Sequence, residues 1–240
     1  MKQIDDKSIN LILCDLPYGV TARNEWDNII PFDKLWEQYK RIIKDNGVIV
    51  LTASQPFTSA LVMSNPNMFK YEWIWEKSKG AGFLNAKKQP LRNHEQILVF
   101  YFSKPTYNPQ FHKGKPYNHK EPSKLSNNYG VFTLKRSISN GDYYPKTIIH
   151  FSNAKSETNH PTQKPVALFE YLIKTYTNEG DLVLDNCIGS GTTAVACIKT
   201  NRKFIGIELS PEYCKIANER IQKELSQSKD KEGSDDILPK

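Results

Sequence analysis

Cysteine is scarce: Cys14, Cys187, Cys197 and Cys214 are the four in 240 residues, and no two form a C-x-x-C pair. That argues against a zinc site or a disulfide framework, and thiols set in apolar or helical runs read as reduced and mostly buried. Long apolar runs are missing too. None reaches the roughly 18 residues of a membrane span, and the opening MKQIDDKSIN has no secretory h-region. A cytoplasmic protein without a membrane partner and without a metal is expected. No internal repeat is visible. Acid is sparse in one place: between residues 103 and 160, Lys104, Lys113, Lys115, Lys120, Lys124, Lys135, Arg136, Lys146 and Lys155 face only Glu121, Asp142 and Glu157. Nine cations against three acids leave +6, nearly all of the chain's net +7. A basic, tyrosine-bearing segment suits a polyanionic partner. On charge alone, a solvated lysine-rich surface fits as well.

Hydrophobic residues make up 38% and charged residues 25%, enough apolar content for a packed core. The length suits one sizeable α/β domain, or one domain with a large insertion. INLILCD (9–15) reads as a buried strand, because its apolar run is nearly continuous. Residues 31–47 space Leu35, Trp36, Tyr39, Ile42 and Ile43 at helical intervals, with Asn46-Gly47 as a stop signal. A strand (48–54), a helix opened by Pro56 (56–64) and two strands (71–78 and 95–102) follow. Periodicity then fades from 103 to 150, in the manner of long functional loops. Order resumes with a helix (160–177), a strand (180–186), a helix (192–201), a strand (203–209) and a helix (210–225). Residues 226–240 are polar and expected to fray. Alternating helices and buried strands on both sides of one insert predict an α/β fold, a doubly wound, mostly parallel sheet.

Two constellations carry chemistry. In LVLDNCIGSGTTA a strand runs into Asp185, then Gly189 and Gly191, then a helix. The glycines let the backbone turn tightly and approach a ligand. Glu208 ends the next strand, where an acid can bind ribose hydroxyls. Gly189, Gly191 and Ala194 also fit the G-x-G-x-x-A dinucleotide pattern, so this segment alone leaves NAD, FAD and a ligand-free turn open. No lysine follows the glycines, so it is not a P-loop.

The second is DLPY. Asp15 follows a strand and projects from its carboxyl end, where ligands bind in such sheets. Pro17 holds Leu16 extended, so the Leu16 carbonyl can point outward beside the carboxylate. Two such acceptors suit one –NH2 group, which has two hydrogens to give. Tyr18 offers a flat ring for stacking on the attached heterocycle. Alone, D-x-P-Y is more often a proline turn with a capping aspartate.

Together, the motifs resemble those of the S-adenosylmethionine-dependent DNA amino-methyltransferases, which act on adenine N6 or cytosine N4. DLPY (15–18) resembles their catalytic D-P-P-Y, with leucine in second place. DNCIGSGTT (185–193) resembles their cofactor motif, and HPTQKP (160–165) the segment before it. WEKSKGAGFLNAKKQPLRNHEQILVF (75–100) looks like their middle region. The likeness spans residue 9 to about 222, and its motif order, catalytic first, is that of the permuted β class.

That resemblance implies a Rossmann-like methyltransferase fold with a catalytic half (1–102), a target-recognition insert (103–159) and a cofactor-binding half (160–225). It implies that Asp15 and the Leu16 carbonyl grip the amine of a flipped base, with Pro17 shaping the turn and Tyr18 stacking on the base. It implies that Asp185 and the Gly189–Gly191 turn lie against the methionine part of the cofactor, with Cys187 also among the cofactor-binding residues. Lys164 and the amides near Thr192 and Thr193 would meet its carboxylate, and Glu208 its ribose. His160 reads as a turn residue. The partner implied is double-stranded DNA, with insert cations on phosphates. Tyr107, Tyr117, Tyr129, Tyr143 and Tyr144 are available to wedge or stack. Relatives often dimerise, and a homodimer stays open. The family's acid-bearing stretch ahead of the first strand has little room before residue 9. Aspartate in first place favours adenine N6. A nicotinamide or flavin oxidoreductase and a non-catalytic DNA-binding subunit are the rival readings.

Overall fold

A computed structural model describes residues 1–19, 28–118, 138–153 and 163–232. They fall into two units, one of Met1–Asn108 with Thr147–Lys240, the other Pro109–Lys146. The first unit runs β1 (Ile9–Asp15), α1 (Phe32–Ile42), β2 (Ile43–Ala53), α2 (Phe57–Ser64), β3 (Phe69–Ala81) and β4 (Arg92–Phe100). The second holds four two-residue strands, β5 (His112–Lys113), β6 (Tyr117–Asn118), β7 (Ile138–Ser139) and β8 (Asp142–Tyr143). The first then resumes with β9 (Ile148–Phe151), α3 (Val166–Tyr176), β10 (Leu182–Asp185), α4 (Thr192–Lys199), β11 (Lys203–Gly206) and α5 (Pro211–Glu232).

Seven strands of the first unit form one sheet in the order β11-β10-β1-β2-β4-β3-β9. In it, only β4 runs against its neighbours. β1 is buried on both faces, and its residues alternate as a strand's must. Ile12 and Cys14 join a core closed by Leu35, Trp36 and Tyr39 of α1 and Phe57 and Leu61 of α2. Leu11 and Leu13 join a core closed by Leu168, Leu172 and Ile173 of α3 and Ala196 of α4. Each such side chain contributes about 1.5–3 kcal/mol when fully buried, which fixes β1 between two helical layers. The doubly wound α/β sheet expected from the sequence is therefore present.

The chain order reverses at β1 and β10, which are parallel neighbours with Leu11 opposite Val183 and Ile12 opposite Leu184. Such a reversal leaves a crevice at the strands' carboxyl ends. Asp15 and Asp185 are the last residues of these two strands, so both stand at that edge.

Three boundaries differ from expectation. α1 stops at Ile42, not at the Asn46-Gly47 signal, because Ile43 already pairs with Ile9 as a strand residue. The register then jumps to Leu11 opposite Val48. Gly47 serves that irregularity: a Cβ there would lie 2.8 Å from the Ile43 side chain and 3.0 Å from the Asn10 carbonyl. β9, expected within the insert, joins the main sheet beside β3 and buries Ile149. α5 continues to Glu232, past the expected fraying point at 226.

The second unit, by itself, pairs β5 with β8 and β6 with β7. Tyr143 stacks on His112 and also meets Tyr117, so it packs within its own unit, whereas Tyr144 is exposed. Tyr107 belongs to the first unit, beside Tyr176. Lys113 pairs with Asp142 at 2.5 Å. Lys120, Lys124, Tyr129, Lys135, Arg136, Lys155 and His160 lie outside the described residues.

Candidate active site

The acid corner is built by adjacent strands. β2 pairs with β1 so that Thr52 stands opposite Asp15. The Thr52 hydroxyl donates to Asp15 Oδ1, and the Tyr18 hydroxyl donates to the same oxygen at 2.7 Å. Lys164, just ahead of α3, donates its ammonium to Asp15 Oδ2 at 2.6 Å. A carboxylate offers about four acceptor positions. Among the described residues, three are filled and one remains for a further donor.

Leu16 is buried in the core at 4% exposure. Tyr18 stacks on Phe57 of α2, with ring centroids 5.1 Å apart and planes at 27°. One face of its ring is thereby covered. Burial, reinforced by the Asp15 charge, pushes the Tyr18 hydroxyl well above its ordinary pKa, so it stays a neutral donor.

Lys164 is also 3.5 Å from Glu95 Oε2, and Glu95 in turn accepts from Lys77 through Oε1. Asp15, Lys164, Glu95 and Lys77 thus form a chain of alternating charges, with Glu95 on β4 and Lys77 on β3. Burial works to lower the Lys164 pKa, but the two carboxylates outweigh it and hold the ammonium above its usual value. Lys164 stands at the acid corner, a place that sequence reasoning did not assign to it.

The glycine turn is built by β10 and α4. Asp185 Oδ1 accepts from the Cys187 amide at 3.0 Å, and Oδ2 accepts from the Thr193 hydroxyl. Cys187 therefore supports Asp185 through its backbone, while its thiol accepts from Asn186 at 3.5 Å. The Thr193 hydroxyl is committed to Asp185. Thr192 is buried at the first position of α4. Burial pushes the Asp185 carboxyl up to about 6, against the hydrogen bonds from Thr193 and Cys187 and with a further push from the Asp15 charge. The two constellations, 170 positions apart in the chain (185 against 15), therefore feel each other electrostatically.

Gly191 precedes α4 at φ +85°, and a Cβ there would sit 3.1 Å from Ala217. Side-chain-bearing residues pay about 1–2 kcal/mol for that backbone region. Gly191→Ala is expected to destabilise the protein by at least that much. Scanning calorimetry should show Tm lowered by about 2–4 °C per kcal/mol.

Glu208 follows β11. Its Oε2 accepts from the Gly189 amide at 2.9 Å, and its Oε1 accepts from the amides of Leu209 and Ser210 at 2.8 and 2.9 Å. Among the described residues, one acceptor position remains here as well. Beside it runs an open groove of about 910 Å³, lined also by Leu209, Pro211, Cys214 and Asn218. Leu209 is 95% exposed, an apolar surface held next to an acid. Among the described residues, no three acids, histidines or cysteines gather as metal ligands, and no helix is long and apolar enough to cross a membrane.

Sequence reasoning missed the supporting residues. Thr52 was legible only as the hydroxyl near the end of VIVLTAS, and Glu95 only as the acid opening EQILVF. Gln163 and Arg220 converge on Ser190 beside the turn, at 3.1 and 2.9 Å from its hydroxyl, and no local pattern marks them.

A Type II methyltransferase of Haemophilus parainfluenzae, M.HpaI, is 30% identical over 238 residues, covering 94% of this chain and 72% of that protein. The DNA adenine methyltransferase YhdJ of Escherichia coli (strain K12) is 29% identical over 256 residues, covering 92% and 79%. Among solved structures, the M1.HpyAVI–SAM complex superposes with a TM-score of 0.59 at 25% identity, covering 89% of each chain. The model of the N6/N4-type DNA methylases matches residues 9–219. A match of that extent, from the first strand into the last helix, makes this chain a member of the DNA methylase family.

Proposed function

We propose that this chain transfers the methyl group of S-adenosylmethionine to the exocyclic amine of a base flipped out of duplex DNA, adenine N6 in preference to cytosine N4. The observation that carries the reading is the pairing of β1 with β10, which sets the Asp15 corner and the glycine turn at one sheet edge. S-adenosylmethionine supplies an electrophilic methyl group. The residues at the turn suit it. Asp185 offers a carboxylate to an ammonium, the α4 amides suit a carboxylate, Glu208 keeps one acceptor position for a ribose hydroxyl, and exposed Leu209 suits a base.

At the acid corner, the free acceptor position of Asp15 and the Leu16 carbonyl take the two hydrogens of the amine. Bent out of the ring plane, those bonds localise the nitrogen lone pair toward the methyl group. The N–C bond then forms as the S–C bond breaks, and the methylated nitrogen sheds one proton. Positioning and fixed charges do most of the work. Lys164 pairs with the Asp15 carboxylate, and Tyr18 and Thr52 hold its plane. Tyr18, whose ring packs on Phe57 and has the Lys164 ammonium 5.7 Å from its centroid, stacks on the base, offsetting part of the few kcal/mol that flipping costs. The basic insert holds phosphates and reads base edges. Adenine is favoured by aspartate in the first place of DLPY and by the likeness to an adenine methyltransferase.

The test is tritiated methyl transfer to unmethylated DNA followed by nucleoside analysis. N6-methyladenine is expected. N4-methylcytosine would correct the base, and no transfer from S-adenosylmethionine by protein that separately binds S-adenosylhomocysteine in a calorimetric titration would remove the activity.

Asp185 makes cofactor binding pH-dependent. Its raised value means the folded protein holds that proton more tightly than the unfolded chain. The ionised form therefore costs stability above about pH 6, by about 3 kcal/mol at 1.4 kcal/mol per unit. A cofactor ammonium relieves this cost but must displace the proton below that pH. S-adenosylhomocysteine affinity should fall by up to about tenfold per unit as pH drops below about 6. Calorimetric titration from about pH 5 to 8 checks it, and a flat profile would separate Asp185 from the ligand.

A further inference from the structure

The hairpin formed by β3 and β4 extends well past the site. Asp15 is level with Thr52, Thr52 with Ile97, and Ile97 with Trp73. β3 continues from Trp73 to Ala81, which pairs with Arg92 across the hairpin. It runs parallel to β1, so the extension leaves the sheet at the edge where Asp15 stands. Eight further residues at about 3.3 Å each project it by about 25 Å. β9 accompanies β3 only as far as Lys77, and beyond that the ribbon has two strands.

Its chemistry is one-sided. Residues 77–94 contain Lys77, Lys79, Lys87, Lys88 and Arg92 and not one aspartate or glutamate. Lys77 is taken by Glu95, and Arg92 reaches the Ser54 hydroxyl at 3.4 Å. Among the described residues, no carboxylate pairs with Lys79, Lys87 or Lys88. At the tip, Phe83 and Leu84 are 76% and 85% exposed. The tip is nonetheless built: the Asn85 amide donates to the Gly82 carbonyl at 2.9 Å, and the Lys88 and Gln89 amides donate to the Asn85 carbonyl at 2.8 and 3.0 Å.

We propose that this ribbon is a second DNA-contacting element, separate from the insert, with Lys79, Lys87, Lys88 and Arg92 on phosphates and Phe83 and Leu84 as a wedge against the base stack. The inference rests on the proposed DNA methyltransferase activity. A two-stranded ribbon is narrow enough for a DNA groove. Apolar side chains pressed between base steps unstack them, which eases extrusion of a neighbouring nucleotide. Charge selects the partner: an acid-free surface presented at the substrate edge fits a polyanion. A second copy of this chain is the competing occupant for the apolar tip.

Two variants of the full chain test it. Lys87→Gln/Lys88→Gln should reduce the slope of log affinity against log salt by about 2 on a mixed-sequence duplex, since each phosphate contact contributes about 0.9. Phe83→Ala/Leu84→Ala should slow methylation of native unmethylated DNA by about tenfold yet leave heat-denatured DNA nearly unaffected, because single strands need no opening. An unchanged slope beside a steep wild-type slope overturns the phosphate contacts. An equal loss on both DNA forms overturns the wedge, as does a shift of the Phe83→Ala/Leu84→Ala variant from dimer to monomer in sedimentation. A wild-type protein that transfers no methyl group to either DNA form would instead fail the functional reading itself.

Discussion

Asp15→Ala is expected to lower methyl transfer by about 10³-fold while S-adenosylhomocysteine still binds. The magnitude is that of removing a preorganised electrostatic group, about 10²–10³ in turnover, with positioning of the amine lost as well. Turnover should suffer more than KM for DNA, because the bonds strengthen only as the nitrogen becomes nucleophilic. Folding should survive. Lys164 keeps Glu95 as a partner, and the Asp15 side chain is already 25% exposed. Single-turnover kinetics beside a calorimetric titration checks both halves. Near-normal transfer in this variant would take Asp15 out of the chemistry, and loss of ligand binding would make it a structural residue.

Lys164→Met should produce the largest loss of stability. Methionine keeps most of the apolar stem and removes the charge, which isolates the electrostatic effect. Asp15 and Glu95 would then face each other without the cation between them. Breaking a buried pair from one side costs about 3–5 kcal/mol. Here the lower end applies, because the side-chain exposures are 8% for Lys164, 15% for Glu95 and 25% for Asp15. At about 2–4 °C per kcal/mol, Tm should drop by roughly 6–12 °C. Since the Lys164 pKa is raised above its unfolded value, this contribution is complete at neutral pH and fades only as pH rises through the folded value. Adding Glu95→Gln should recover part of the loss, because one of the stranded carboxylates becomes neutral. Thermal melts of the single and double variants decide it. A Lys164→Met protein as stable as the parent would mean that the charge chain contributes nothing to the fold.

Much of the fold was legible because burial on both faces imposes near-continuous apolar runs. β1, β10 and the middle of β2 were readable for that reason, as were Asp15 and Asp185 at their ends. The site's second layer was not. Thr52 matters because the register sets it opposite Asp15, and Glu95 because β4 runs antiparallel beside β2. Register and strand order are tertiary facts with no local signature. Lys164 illustrates the difference. Its place in HPTQKP pointed to the glycine turn, and only the fold brings it to the acid corner. The end of α1 was misplaced for a related reason. Asn46-Gly47 looks like a helix stop, but the pairing of Ile43 with Ile9 ends the helix first.

The placement of β1 beside β10 also governs how the protein comes into being. β1 emerges early in synthesis, yet the partner for one of its edges is made only after residue 182. Until then a long apolar strand has an open hydrogen-bonding side, the kind of edge that pairs with other chains and aggregates. Pairing so distant in sequence is also slow to form. Chains interrupted before β10 should accumulate as insoluble material, and a separately made segment carrying β10, α4 and β11 should rescue them when co-expressed.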